Sequence, residues 1–241
     1  MLIKLDNPQL LSKAIELVSE LVTEARLKIT EFGMNLIAID PANVAMVGFK
    51  IPKSAFSQFE TGAEVLGVNL DSLKKILKRA GSGSSIILEK KENCLEIQIQ
   101  DRIRRNFSLN LIEIESEDKE MPNLEFSSKV KLNSVDLIAS VEDCSVVADA
   151  CSFIIEENKF AIEAKGLNSA RSEFSSDEAE IAAENCRAKY SLEYLSKFIK
   201  ASKLSDKTIL NFAEDHPLRM DVKTEHLEIN FILAPRVETE D

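Results

Sequence analysis

Seven basic side chains recur at spacings that a helix would turn to one outward side, and the chemistry they offer is attraction of phosphate. Lys74, Lys75, Lys78 and Arg79 lie in LDSLKKILKRA at 70–80, and Lys197, Lys200 and Lys203 lie in LEYLSKFIKASK at 192–203. At about 100° per residue, Leu70, Leu73, Ile76, Leu77 and Ala80 form a core-facing arc opposite the first set. Leu192, Leu195, Phe198 and Ile199 do the same for the second. One such helix is most simply a solvated face. Two copies in an acidic chain, each almost free of outward carboxylates, point to a purposeful basic surface without naming its partner.

Catalytic chemistry finds little to work with. His216 and His226 are the only groups whose ordinary pKa lies near neutrality, and neither sits in a nucleophile or metal motif. GSGS at 81–84 follows a helix and lacks the Gly-Lys-Ser/Thr that would cradle phosphates. Asp40-Pro41 suits a turn better than a paired-carboxylate site. Cys94, Cys144, Cys151 and Cys186 contain no C-x-x-C pair and no companion histidine, so zinc and disulfides are not expected. Cys144 and Cys151, two helical turns apart, read as one core-facing stripe. The expectation is a protein with no enzymatic activity, no metal and no cofactor.

Composition bounds the rest. The 241 residues are 44% hydrophobic and 29% charged, enough to bury a core in two ordinary domains. No apolar run approaches the roughly 20 residues that span a bilayer, so no membrane is expected. MLIKLDNPQLL lacks a basic stretch followed by a long apolar one, so export is not expected either. Net charge is −11, which taken alone argues against nucleic acid. The distribution qualifies it. Acid crowds into Glu113, Glu115, Glu117, Asp118 and Glu120, into Asp177, Glu178, Glu180 and Glu184, and into Glu238, Glu240 and Asp241, leaving the duplicated helix basic.

The elements that must position these groups repeat at an offset of about 120 residues, so the chain reads as a duplication. Leu70, Leu73, Lys75 and Lys78 fall in register with Leu192, Leu195, Lys197 and Lys200, and Ile76 and Leu77 with Phe198 and Ile199. A first helix is expected over 8–22, with Asn7 as cap and Pro8 at its first position. Alternation predicts strands at 27–29, 34–38 and 44–51, with a turn at Glu31-Phe32-Gly33. The first lysine helix is predicted over 69–80 and closed by Gly81; strands at 86–88, 95–99 and 107–111 follow. The second half predicts a helix at 133–150, strands at 153–155, 160–164 and 171–174, the second lysine helix, and strands at 208–210, 218–222 and 227–231. Between the halves, the acidic segment ending in Met121-Pro122 and Leu124 reads as a surface linker. Leu233, Ala234 and Pro235 stay apolar before an acidic tail. Such residues either line a partner's groove or pin their segments to a sheet.

GMNLIAIDPANVAMV (33–47), VLGVNLDSLKKILKRAG (65–81), MPNLEF (121–126), HPLRMDV (216–222) and FILAPRVETED (231–241) together resemble the proliferating cell nuclear antigen family of DNA sliding clamps, in its archaeal type. The resemblance implies an α+β fold of two similar clamp (processivity-fold) domains, each with two helices packed on antiparallel sheet, and a ring-shaped trimer. The domains would be 1–114 and 129–241, joined by an interdomain connecting loop at 115–128. It implies a DNA polymerase processivity factor that encircles double-stranded DNA without sequence preference. Replicative DNA polymerase, clamp loader, flap endonuclease and DNA ligase would be tethered through short peptide motifs. Location would be cytoplasmic and nucleoid-associated, or nuclear in a eukaryote.

By match to the family, Lys13, Lys75, Lys78 and Lys200 would face DNA, with Lys74, Arg79, Lys197 and Lys203 as this sequence's neighbouring candidates. The partner groove would be Ile39, Val44, Met46, Met121, Leu124, Pro217, Leu233, Ala234 and Pro235. Subunits would join an edge strand near 106–114 to one near 170–178. One departure stands out: 133–150 has no Lys or Arg, and carries Glu142 and Val146 where the family often has basic residues. The rival reading from another class is an acidic peptide-binding adaptor that does not encircle DNA.

Overall fold

The computed structural model describes residues 1–115 and 119–236 and divides into two compact units. Unit 1 comprises Met1–Pro41, Val47–Met121 and Glu225–Ile229, and unit 2 comprises Ala42–Met46, Pro122–Thr224 and Asn230–Asp241. The linker residues 116–118 and the acidic tail 237–241 lie outside the described residues.

In the first half the chain runs β1 (Leu2–Leu5), α1 (Gln9–Val18), β2 (Glu24–Thr30), β3 (Gly33–Ile39), β4 (Ala45–Pro52), β5 (Gln58–Glu60), β6 (Glu64–Asn69), α2 (Leu70–Leu77), β7 (Ser85–Lys91), β8 (Cys94–Gln100) and β9 (Arg104–Asn110). The second half repeats that order: β10 (Ser128–Asn133), α3 (Ser134–Val147), β11 (Ala150–Glu156), β12 (Lys159–Lys165), β13 (Ser169–Phe174), β14 (Ala179–Ala183), β15 (Cys186–Ser191), α4 (Leu192–Ser202), β16 (Lys207–Phe212), β17 (Leu218–Lys223) and β18 (Glu228–Leu233). Hydrogen-bonded order repeats too. β5-β1-β7-β8-β9 corresponds to β14-β10-β16-β17-β18, and β4-β3-β2-β6 to β13-β12-β11-β15. The duplication read from one helix therefore extends to every strand.

Local chemistry accounts for the elements. Pro8 already has helical dihedrals (φ −65°, ψ −17°), and the Asn7 side chain accepts the Gln9 N–H at 3.3 Å. Thr30 pairs with Gly33 across the β2–β3 turn, where Gly33 takes φ +137° and a Cβ would strike the Ile51 carbonyl. Asn69 caps α2 by accepting the Ser72 N–H at 2.9 Å. At the other end the expectation fails. α2 stops at Leu77, Lys78 is still helical (φ −62°), and Gly81 donates its N–H to Ser84 Oγ at 3.0 Å instead of closing the helix in a left-handed turn.

α1 buries Leu11, Ala14, Ile15, Leu17 and Val18, and α2 buries Leu70, Leu73 and Leu77, against a largely aliphatic core. The core of unit 2 is aromatic. Phe153 lies 5.6 Å from Phe160, 5.3 Å from Tyr190 and 5.9 Å from Phe212 by ring centroids. Phe198 of α4 stacks on Phe231 at 4.3 Å. A buried hydroxyl chain ties the base of this helix pair: Thr208 Oγ1 donates to Ser202 Oγ at 2.9 Å and shares a 2.9 Å bond with Ser134 Oγ. Cys144 sits on α3 but Cys151 on β11, because α3 ends at Val147 and Ala148 turns extended (φ −153°). Both thiols are buried, so the two meet across elements and not along one helical stripe.

Candidate functional site

In unit 1 the helices α1 and α2 lie antiparallel, since Gln9 Nε2 reaches the Ala80 carbonyl at 3.0 Å while Ser19 receives Lys74. Lys13, Lys75, Lys78 and Arg79 are exposed on this pair. Lys75 has no bonded partner among the described residues. Lys74 is drawn aside: it is half-buried, donates to Ser19 Oγ at 3.0 Å and pairs with Asp71 at 3.0 Å. A carboxylate also reaches this surface from the neighbouring helix. Glu16 of α1 pairs with Lys13 at 3.1 Å and with Lys78 at 2.8 Å. Lys78, then Lys13, holds the Glu16 carboxyl below its ordinary range against an opposing cost of burial.

In unit 2, α3 and α4 pair the same way but are charged differently. Lys200 and Lys203 are exposed on α4. Lys197 is half-buried, lying over the Tyr194 ring at 5.1 Å and bonded to Glu193 at 3.2 Å. The outward side of α3 shows Val135 (71% exposed), Ala139, Glu142 and Val146 (85% exposed), with no basic residue.

Of the nine groove residues, Ile39, Val44, Met46, Met121, Leu124, Pro217, Ala234 and Pro235 are half-exposed. Leu233 is not. It is fully buried at the end of β18, so a partner cannot touch it and it belongs to the core. Within unit 1, Met121 lies on β4, where a Cβ at Gly48 would come within 2.8 Å of the Met121 methyl. Ile39 also lines a separate cleft of about 220 Å³ with Arg26, Lys28, Ile37, Ile114 and Lys119. Within unit 2, the Ala234 N–H donates to the Val44 carbonyl at 2.9 Å, and Arg236 latches the segment through Lys189 O at 2.7 Å and Asp149 at 2.8 Å. Phe126 meets His216 edge-on at 5.4 Å, and Tyr190 donates to the His216 carbonyl at 2.7 Å. His216 thus serves packing. The described residues hold no cluster of potential metal ligands and no helix long and apolar enough to cross a membrane.

Two family models match in tandem, the N-terminal domain of proliferating cell nuclear antigen over residues 1–120 and its C-terminal domain over 120–237. The chain belongs to the proliferating cell nuclear antigen family. Among its relatives, DNA polymerase sliding clamp 1 of Thermococcus kodakarensis is 35% identical, covering 97% of both chains. The DNA polymerase sliding clamp of Pyrococcus furiosus is 35% identical over 94% of both. Among solved structures, the antigen from Entamoeba histolytica superposes with TM-score 0.91 at 25% identity, covering 98% of each chain. The A. fulgidus protein, solved with the C-terminal region of FEN-1 bound, gives TM-score 0.90 at 25% identity over 99% of each. The fold is accordingly that of two clamp domains, with four helices on antiparallel sheets.

Sequence reasoning missed Glu16 and Asp71. Glu16 stands three residues after Lys13, a spacing that pairs charges on one helix, but its bond to Lys78 of α2 required the packed structure. It also missed that Arg105 near the start of β9 donates to the Arg79 carbonyl at 3.0 Å, just past the end of α2.

Proposed function

We propose that this chain is a DNA polymerase processivity factor without catalytic activity, in which three copies close head to tail around duplex DNA. The domains are read as 1–114 and 129–241, joined by a connecting loop at 115–128. Lys13, Lys75, Lys78, Arg79, Lys200 and Lys203 attract the phosphate backbone through screened, non-specific contacts that permit sliding. Lys74 and Lys197 act behind them, because each is already engaged by its own helix. The half-exposed residues Ile39 and Met121 of unit 1, and Val44, Met46, Leu124, Pro217, Ala234 and Pro235 of unit 2, take the apolar anchors of polymerase, clamp loader, flap endonuclease and ligase. A protein that travels on DNA resides where the DNA is, inside the cell with the nucleoid or in a nucleus.

The observation that carries the reading is the basic side of α2, repeated on α4, in a chain of net charge −11. Self-association has its own support. β9 is an edge of the five-stranded sheet and β13 an edge of the four-stranded sheet, and strand addition between copies would cover both. Solution mass tests it. A species near three times 26.9 kDa that lengthens products on primed circular DNA is expected. A persistent monomer at micromolar concentration that binds partner peptides but not DNA would favour the acidic adaptor instead.

A further inference from the structure

The α1–α2 surface carries a carboxylate where simple attraction would want none. Glu16 Oε2 accepts from Lys13 at 3.1 Å and Glu16 Oε1 from Lys78 at 2.8 Å, so one carboxylate divides itself between ammonium groups on two helices. Its side chain is 30% exposed, and those of the two lysines are 51% and 53% exposed. All three groups are therefore within reach of a strand of phosphates. Lys75, next to Lys78's helical turn, has no such counter-charge among the described residues. The contrast within one short surface separates a lysine free to answer phosphate from two that must first be shared.

We propose that Glu16 limits the grip of the α1–α2 surface on duplex DNA, by competing with phosphate for Lys13 and Lys78. The inference rests on the reading that this surface meets DNA. A protein held on its track by closure has no use for tight electrostatic binding, because every phosphate it neutralises must be released before the next step along the duplex. A carboxylate fixed between two lysines lowers the gain from each phosphate contact. It also offers each ammonium an equivalent partner as the contact breaks, which smooths passage from one phosphate to the next. The negative charge is permanent under physiological conditions, since both lysines favour the ionised form.

The test compares the full chain with Glu16→Gln, Glu16→Asp and Lys75→Glu, titrating a short labelled duplex by fluorescence anisotropy at several salt concentrations, with thermal melts as a folding check. Glu16→Gln should bind about 3- to 10-fold more tightly at low salt, with a salt slope steeper by about one released counterion. Glu16→Asp keeps the charge but loses reach to one lysine, and should fall between Gln and the natural chain. Lys75→Glu should weaken binding. If Glu16→Gln binds no better than the natural chain while Lys75→Glu binds worse, the role given to Glu16 is overturned and the DNA-facing reading survives. If Lys75→Glu binds as the natural chain does, the surface itself has been misread, whatever Glu16 does.

Discussion

Helix α2 and the turn that follows it hold Lys75, Lys78 and Arg79 outward beside Lys13 of α1, whereas in the repeat only α4 is basic and α3 presents Val135, Glu142 and Val146. Both pairs are antiparallel, both cover a pair of sheets, and both bury leucines at equivalent positions. The inward side decides whether such a helix packs, and it has been kept; the outward side is free of that constraint and has diverged. The cores differ too, aliphatic under α1 and α2 and aromatic under α3 and α4. A duplicated fold thus preserves apolar period and strand order more strictly than charge or side-chain volume.

The largest effect that could break this comparison lies in the core. Ile76 and Phe198 are in register, yet Ile76 is half-buried and Phe198 is fully buried on Phe231. Phe198→Ala should cost about 3–5 kcal/mol in urea unfolding and Ile76→Ala about half of that. Equal costs would mean that the helices are packed alike after all. Next comes charge. Lys75→Glu and Lys200→Glu should each weaken duplex binding roughly 10-fold at low salt, and Glu142→Lys with Val146→Lys on α3 should strengthen it. No gain from the added lysines would show that α3 is turned away from DNA.

Capping separates the pairs more finely. Asn69 bonds the Ser72 N–H at the start of α2, while Ser191 at the start of α4 makes no side-chain cap bond. Asn69→Ala should lower stability by about 1 kcal/mol, and Ser191→Ala by a few tenths. The smallest effect is one of pH. Lys165, then Arg171, holds the nearly buried Glu163 carboxyl below its ordinary range, at 2.8 and 3.1 Å. A carboxyl lowered in the folded state stabilises fully above its unfolded pKa of about 4.3, and that contribution is lost as pH falls through the folded value. Melting temperature of the natural chain should therefore fall more steeply with acid than that of Glu163→Gln. Parallel curves would remove the ion pairs from the stability of unit 2.

Where the sequence was legible, a single period governed a stretch long enough to read. The lysine helices, the Asn7-Pro8 start and the Gly33 turn are of this kind. Strands β1, β5, β6, β10, β14 and β15, three to six residues each, are not separated by the sequence reading from the loops beside them. Leu233 enters the groove only through the family resemblance, and because β18 buries five successive residues, alternation gives no sign of which side each faces. Gly81 and the Cys144–Cys151 stripe failed for a shared reason. α2 and α3 stop at Leu77 and Val147, where the next residues are Lys78 and Ala148 and no glycine or proline marks the place. The candidate surfaces are legible as residue types, and the pairs Lys74–Asp71 and Lys197–Glu193, three and four residues apart on one helix, lie within reach of the sequence. The bonds of Lys74 to Ser19 and of Lys78 to Glu16 arise only when separate segments meet.

Each chain ends one sheet in β9 and another in β13, two unlike borders rather than one border complementary to itself. Association through unlike borders has no built-in stop: each added copy leaves a fresh border open, and only the rotation per step decides whether the series returns to its start. A small error in that rotation would yield a growing helical thread instead of a finite assembly. Substitutions that alter the twist of β9 or β13 should therefore be judged by whether they produce fibres, a hazard no loss-of-binding assay would reveal.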